Sequence, residues 1–101
     1  MLIYISGPIT GHDDYLEKFK AAEDFLKRQG HDVINPAWIN EPFAKTNARH
    51  GDFLTACLRM MAPCDAVYML DGWKTSEGAK MEYKEAQRLK MWIMMEAAGK
   101  E

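Results

Sequence analysis

The chain has 101 residues, 48% of them hydrophobic, and a formal charge of −2. These figures fit one small domain with a single core, and the near-neutral balance excludes the basic footprint of a protein that binds nucleic-acid polymers. No apolar run reaches membrane-spanning length, and the first residues lack the basic-then-apolar order of a secretory leader; the expected setting is cytoplasmic, with no membrane partner. Cys57 and Cys64 are too few and too loosely spaced for a disulfide framework or a zinc site, and read as free thiols in a reducing compartment. His12, His31 and His50 are scattered singly, so no metal site is expected.

In chain order, residues 2–6 (LIYIS) form a β-branched and aromatic run that stops at Gly7-Pro8, the pattern of a buried parallel strand. Residues 7–11 (GPITG) make a strand-to-helix loop. Tyr15, Phe19, Ala22 and Leu26 then repeat at helical spacing up to a stop at Gly30. Asp14 with Glu17 three residues on predicts a capping box at the start of that helix. Residues 32–35 read as a second strand ending before Pro36. Residues 36–49 show no clean periodicity and read as a long loop carrying Trp38 and Phe43; loops of that length are uncommon in compact domains and tend to serve function. A helix is predicted over 52–61 with Phe53, Cys57 and Met60 or Met61 inward, a third strand over 65–70 (DAVYML), and a fourth over 91–95. The last five residues carry no structural signal.

Between the third and fourth strands lies the most informative stretch, residues 71–86 (DGWKTSEGAKMEYKEA). A turn at Asp71-Gly72 leads into a polar loop, and Ser76 is a favoured helix N-cap. Ala79, Tyr83, Ala86 and Leu89 give the helix an inward stripe, and Glu82 falls on it. A carboxylate in that position is paired or functional, because an unpartnered buried charge is too costly. Gly78 sits one turn before it on the same face and predicts open space beside the acid. Two readings follow: a small-molecule site at a helix N-terminus, or a structural glutamate paired with a neighbouring Lys or Arg. The alternation of strands and helices predicts an α/β fold, an open parallel four-stranded sheet of order 2-1-3-4 with helices on both faces, of flavodoxin or Rossmann type. Ligands in such sheets bind outside the carboxyl ends of the strands where the order reverses, which brings the loops after strands one and three to one crevice.

Taken together, YISGPITG, CDAVYMLDGW and the spacing of Ser76, Gly78 and Glu82 (S-x-G-x-x-x-E) resemble the nucleoside 2-deoxyribosyltransferase superfamily, in particular its small, often phage-encoded relatives and the 2'-deoxynucleoside 5'-phosphate N-hydrolases. The resemblance runs from Leu2 to about Met95. It implies that Glu82 is a nucleophile attacking the anomeric carbon of a deoxyribose, forming a glycosyl-enzyme that water or another base resolves. Tyr4 is implied as its catalytic companion. Gly7, Pro8, Ile9, Thr10 and Gly11, with Ser76 and Gly78, match the part that holds a 5'-phosphate, and Ser6 belongs to the expected substrate-binding set. Asp71 and Trp73 complete the expected substrate-binding set. The implied partner is a small nucleoside or nucleotide, the implied assembly a homodimer, and the chemistry calls for no metal or organic cofactor.

Two departures bear on activity. Cys57 stands eight residues before Asp65, where the family usually has an aspartate implicated in acid–base work. Pro8 replaces a serine typical of the hydrolases, removing one N–H and one hydroxyl from the phosphate loop. The alternative is therefore a nucleotide-binding protein that has lost turnover, and a third possibility is an interaction module keeping the fold alone. Tyr4 reads equally as a plain core residue, Ser76 is a helix cap under either reading, and Trp73 either stacks on a base or covers an apolar patch.

Overall fold

The computed structural model describes residues 1–9, 12–37 and 50–96, with only the backbone described for 50–53. Strand β1 (Leu2–Ser6) leads to helix α1 (Tyr15–Arg28) and strand β2 (Asp32–Ile34). Helix α2 (His50–Met61), strand β3 (Ala66–Met69), a 3-10 turn (Trp73–Thr75), helix α3 (Glu77–Arg88) and strand β4 (Trp92–Met95) follow. All pairings are parallel and the order is β2-β1-β3-β4, a flavodoxin or Rossmann-like α/β sheet. The loop expected over 36–49 and the tail expected over 97–101 lie almost wholly outside the described residues.

Strand parity divides the core into two layers. Ile3, Ile5, Ala66, Tyr68 and Leu70 face α1 and pack with Phe19, Ala22 and Leu26. Tyr4, Val67 and Met69 face the other side and pack with Cys57 and Met61 of α2 and Ala79 and Ala86 of α3. Residues of β1 and β3 are apolar on both faces because both faces are covered, which is why those runs show no polar alternation. Among the described residues no helix is long and apolar enough to cross a membrane.

The helix ends follow their sequence signals with one exception. Gly30 closes α1 at φ +91°. Ser76 caps α3, its Oγ accepting from the Ala79 N–H at 3.1 Å. The capping box at Asp14 does not form: Asp14 sits at φ −97°, ψ 16° and its side chain makes no cap hydrogen bond. Instead its carboxylate lies 3.6 Å from Lys18 Nζ. The near-helical backbone at Asp14 departs from the β-region geometry that an N-cap usually adopts.

The 2-1-3-4 order makes β1 and β3 neighbours. Ser6 pairs with Met69, and the Leu70 N–H donates to the Ser6 carbonyl at 2.8 Å, so the loops leaving β1 and β3 start side by side. Gly7 is required at that junction. A Cβ there would lie 2.8 Å from Leu70 Cβ, an atom tied to the backbone that no rotamer change moves away. Gly7→Ala is expected to destabilise the fold by about 1–3 kcal/mol through forced separation of β1 and β3, read as a lower urea midpoint at unchanged m-value.

Candidate functional site

Glu82 lies midway along α3 and is buried, at 6% exposure. Its register on the helix aims it at the underside of β1, where Tyr4 and Ser6, two residues apart, share the face that α2 and α3 cover. The Tyr4 hydroxyl donates to Glu82 Oε2 at 2.6 Å, and the Ser6 hydroxyl donates to Oε1 at 2.5 Å. The Cys57 thiol, presented by α2, stands within hydrogen-bonding reach of both Tyr4 and Glu82. One carboxylate on α3 thus gathers three neutral donors from two other elements, β1 and α2. Among the described residues no Lys or Arg pairs with it.

Burial pushes the Glu82 carboxyl up from its usual range to about 6, against the lowering effect of the hydrogen bonds from Ser6, Tyr4 and Cys57. Burial, reinforced by the charge of Glu82, also pushes the Cys57 thiol up to about 12 and raises the Tyr4 phenol well above its ordinary value. At neutral pH the cluster therefore holds one anion, one thiol and two neutral hydroxyls. Three donors serve a carboxylate that has about four lone-pair sites. One remains for an electrophile. The thiol is no thiolate nucleophile at that pKa, and no proton donor of ordinary acidity stands beside Glu82.

The other expected residues are distributed around this cluster. Gly7 and Pro8 are buried where the chain leaves β1, and Ile9 packs against both core layers. Thr10 and Gly11 lie outside the described residues, as do Trp38 and Phe43 and the side chain of Asp52. Ser76 is occupied as the α3 cap, with Gly78 half-buried one turn before Glu82. Beside them Glu77, in the first turn of α3, is paired with Lys80 at 2.9 Å. The carboxylate favours the positive end of the helix dipole and so competes there with any bound anion, while Lys80 offsets it.

Asp71 and Trp73 sit one strand further along. With Met69, Lys74, Met95 and Glu96 they line an open cleft of about 440 Å³ at the carboxyl ends of β3 and β4. Trp73 stacks on Tyr83 with ring centroids 4.6 Å apart, so it covers the core and walls the cleft at once. Asp71 is exposed, and its N–H donates to Glu96 Oε1 at 2.8 Å. Glu82 is not part of the cleft wall. The two are nevertheless adjacent, because Met69 is the β3 neighbour of Ser6. The carboxylate cluster holds its charge buried, whereas Asp71 and Lys74 of the cleft are exposed.

Residues 1–95 match the model of a family described as Domain of unknown function (DUF4406). The chain belongs to this family. No curated protein matches it, and no solved structure does. The match spans the whole of the sheet, so every residue of the Glu82 cluster falls within it.

Sequence reasoning placed Ser6 with the substrate-binding loop; its hydroxyl is instead directed at Glu82. The alternation of Tyr4 and Ser6 along one strand held that information. Glu96 carried no such signal, since it reaches the cleft through the pairing of β4 with β3.

Because the folded protein holds the Glu82 proton more tightly than the unfolded chain, the associated stabilisation is full below about pH 4.5 and is lost as pH rises through about 6. That displacement corresponds to about 2 kcal/mol against the ionised folded state at pH 7. Glu82→Gln, which stays neutral, is therefore expected to gain stability relative to the natural chain as pH rises from 4.5 to 7. Urea unfolding of both proteins across that range reads it; a difference that does not change with pH would contradict the assignment.

Proposed function

We propose that this protein cleaves, or transfers across, the N-glycosidic bond of a (deoxy)nucleoside or its 5'-monophosphate, with Glu82 as nucleophile. The observation that carries the reading is the buried carboxylate held, among the described residues, by neutral donors, beside the loops that leave β1 and β3. It is kept dry, at a cost to the fold, which is the state a nucleophile needs. The resemblance of Tyr4, Gly7, Ile9, Ser76, Gly78 and Glu82 to the deoxyribosyltransferase pattern supports the same reading.

In the proposed reaction one Glu82 oxygen bonds to the anomeric carbon as the N-glycosidic bond breaks and its electron pair leaves with the base. The transition state is oxocarbenium-like, and the adjacent anion stabilises it. Tyr4 and Ser6 orient the carboxylate and share its charge in the ground state. Water then adds to the anomeric carbon, releasing the sugar and restoring the carboxylate, and the departing base takes up a proton. Gly7 to Gly11 and the start of α3 would hold a 5'-phosphate through backbone N–H groups, and Trp73 and Asp71 border the space for the base. The proposed setting is the cytoplasm and the proposed assembly a homodimer.

Incubation with a panel of nucleosides and 5'-monophosphates should release free base, and Glu82→Ala should lower the rate by at least about 10³-fold. With the nucleophile required as its anion, log kcat/KM for the productive substrate is expected to rise with unit slope below about pH 6 and to level above it.

Cys57 favours a second reading, a nucleotide-binding protein without turnover. Its thiol, pushed up to about 12, supplies no proton to a leaving base. Under this reading the natural chain and Glu82→Ala bind a nucleotide and are equally inactive, ligand binding being read as a rise in Tm. Cys57→Asp separates the two: it is expected to speed base release at least about tenfold if acid–base assistance is what the site lacks, measured with the same panel.

A further inference from the structure

Strand β4 is an edge of the sheet, and its open side is unusually apolar. Trp92 is 70% exposed and Met95 50% exposed. In the parallel pairing with β3, the Trp92 and Glu96 N–H groups donate to Asp65 and Met69, so Ile93 and Met95, which alternate with them, direct their N–H and C=O groups away from the sheet. Among the described residues nothing pairs with those groups. A flat apolar edge of this kind is a template for another strand.

We propose that this edge pairs antiparallel with β4 of a second copy of the chain, making one continuous eight-stranded sheet across a two-fold axis. Charge and hydrogen bonding together select the register. Placing Ile93 opposite Ile93 of the second copy makes both Ile93 residues donors and acceptors across the axis and lets each Met95 N–H reach the opposing Met91 carbonyl. The Met91 N–H is already given to Ala86, so the ladder ends there. In this register Trp92 falls opposite Met94, on the face that carries α1, and Lys90, in the left-handed turn (φ 58°) two residues before β4, comes to the end of the ladder where Glu96 of the second copy stands. Lys90 makes no ion pair among the described residues, and a Trp–Met contact is favourable for the thioether. Sliding the strands by two residues in either direction loses both Lys90–Glu96 pairs and sets like side chain on like, Trp92 on Trp92 or Met94 on Met94.

The pairing has a consequence for the cleft. Glu96 and Met95 belong to its wall, so the second copy would bring its Lys90 to the rim of a space whose charged lining is Asp71, Lys74 and Glu96. The proposal concerns a surface separate from the Glu82 cluster and holds whether or not that carboxylate performs chemistry.

Opposed positions that do not exchange hydrogen bonds bring Cβ atoms to about 4.5–5.5 Å, close enough for a disulfide. The variant Trp92→Cys with Met94→Cys should form a covalent dimer rapidly under mild oxidation, while Trp92→Cys alone, or Trp92→Cys with Ile93→Cys on opposite faces, should not. Equal rates for all three would overturn the register. Sedimentation of the full chain supplies an independent reading. Lys90→Glu should raise the dimer dissociation constant about tenfold and Lys90→Glu with Glu96→Lys should restore it, since the swap preserves complementarity. A chain that stays monomeric at about 1 mM, or a dimer indifferent to the charge reversals, would place any self-association elsewhere and end the proposal.

Discussion

Everything distinctive about this molecule depends on one carboxylate being carried into a dry layer and met there by hydroxyls. Glu82 belongs to α3 and its two hydroxyl partners to β1, 78 and 76 residues away in sequence. Three donors replace much of the water that anion lost, and even so its proton affinity rises. The same hydrogen bonds fasten α3 to the central strand. The layer they occupy is otherwise built of Met, Val, Ala and Cys side chains, so the polar cluster is an island whose geometry has little freedom. Preorganisation of this kind suits a group that must meet an electrophile without first rearranging solvent.

Sheet topology explains why the island sits where it does. Among the described residues α2 and α3 cover one face and α1 covers the other. The cover of two helices allows three elements to converge on one point, Cys57 from α2, Glu82 from α3, and Tyr4 with Ser6 from β1. At the opposite face Phe25 of α1 reaches Tyr68, at 6.2 Å between ring centroids, and Trp92 of β4 is 70% exposed. Structural reinforcement lies at the other end of the sheet, where Asp65 accepts from the Leu2 N–H and returns its own N–H to the Leu2 carbonyl. Glu23, bonded to Lys27 and Asn35, ties α1 to the segment leaving β2.

Much of this was legible in the order of residues. Apolar runs bounded by Gly and Pro marked the strands, and the 3.6 period marked α1 and α3 to within a residue or two at each end. Parallel strands with helical crossovers admit few topologies, and the expected order 2-1-3-4 is the one observed. Ser76 as a cap and Glu82 as an inward acid followed from spacing alone. The capping box at Asp14 did not, because a cap depends on the backbone dihedrals of the preceding loop, which the side-chain pattern leaves open. The 3-10 turn at Trp73–Thr75 was read as plain loop for the same reason: its i→i+3 bonds need no periodic side chains.

What the sequence determined by itself was therefore local and periodic: which residues are helical, which extended, and which face of each element is turned inward. Those properties reside in neighbours a few positions apart, and the chain carries them wherever it is placed. Tertiary structure alone decided what meets that inward acid. Whether Glu82 would find a cation, a hydroxyl or water depended on which strand lay beneath α3 and in what register, and on the side of the sheet to which α2 returned. Contacts across 76 residues are fixed by the closure of the whole sheet, and no short stretch of residues contains that information.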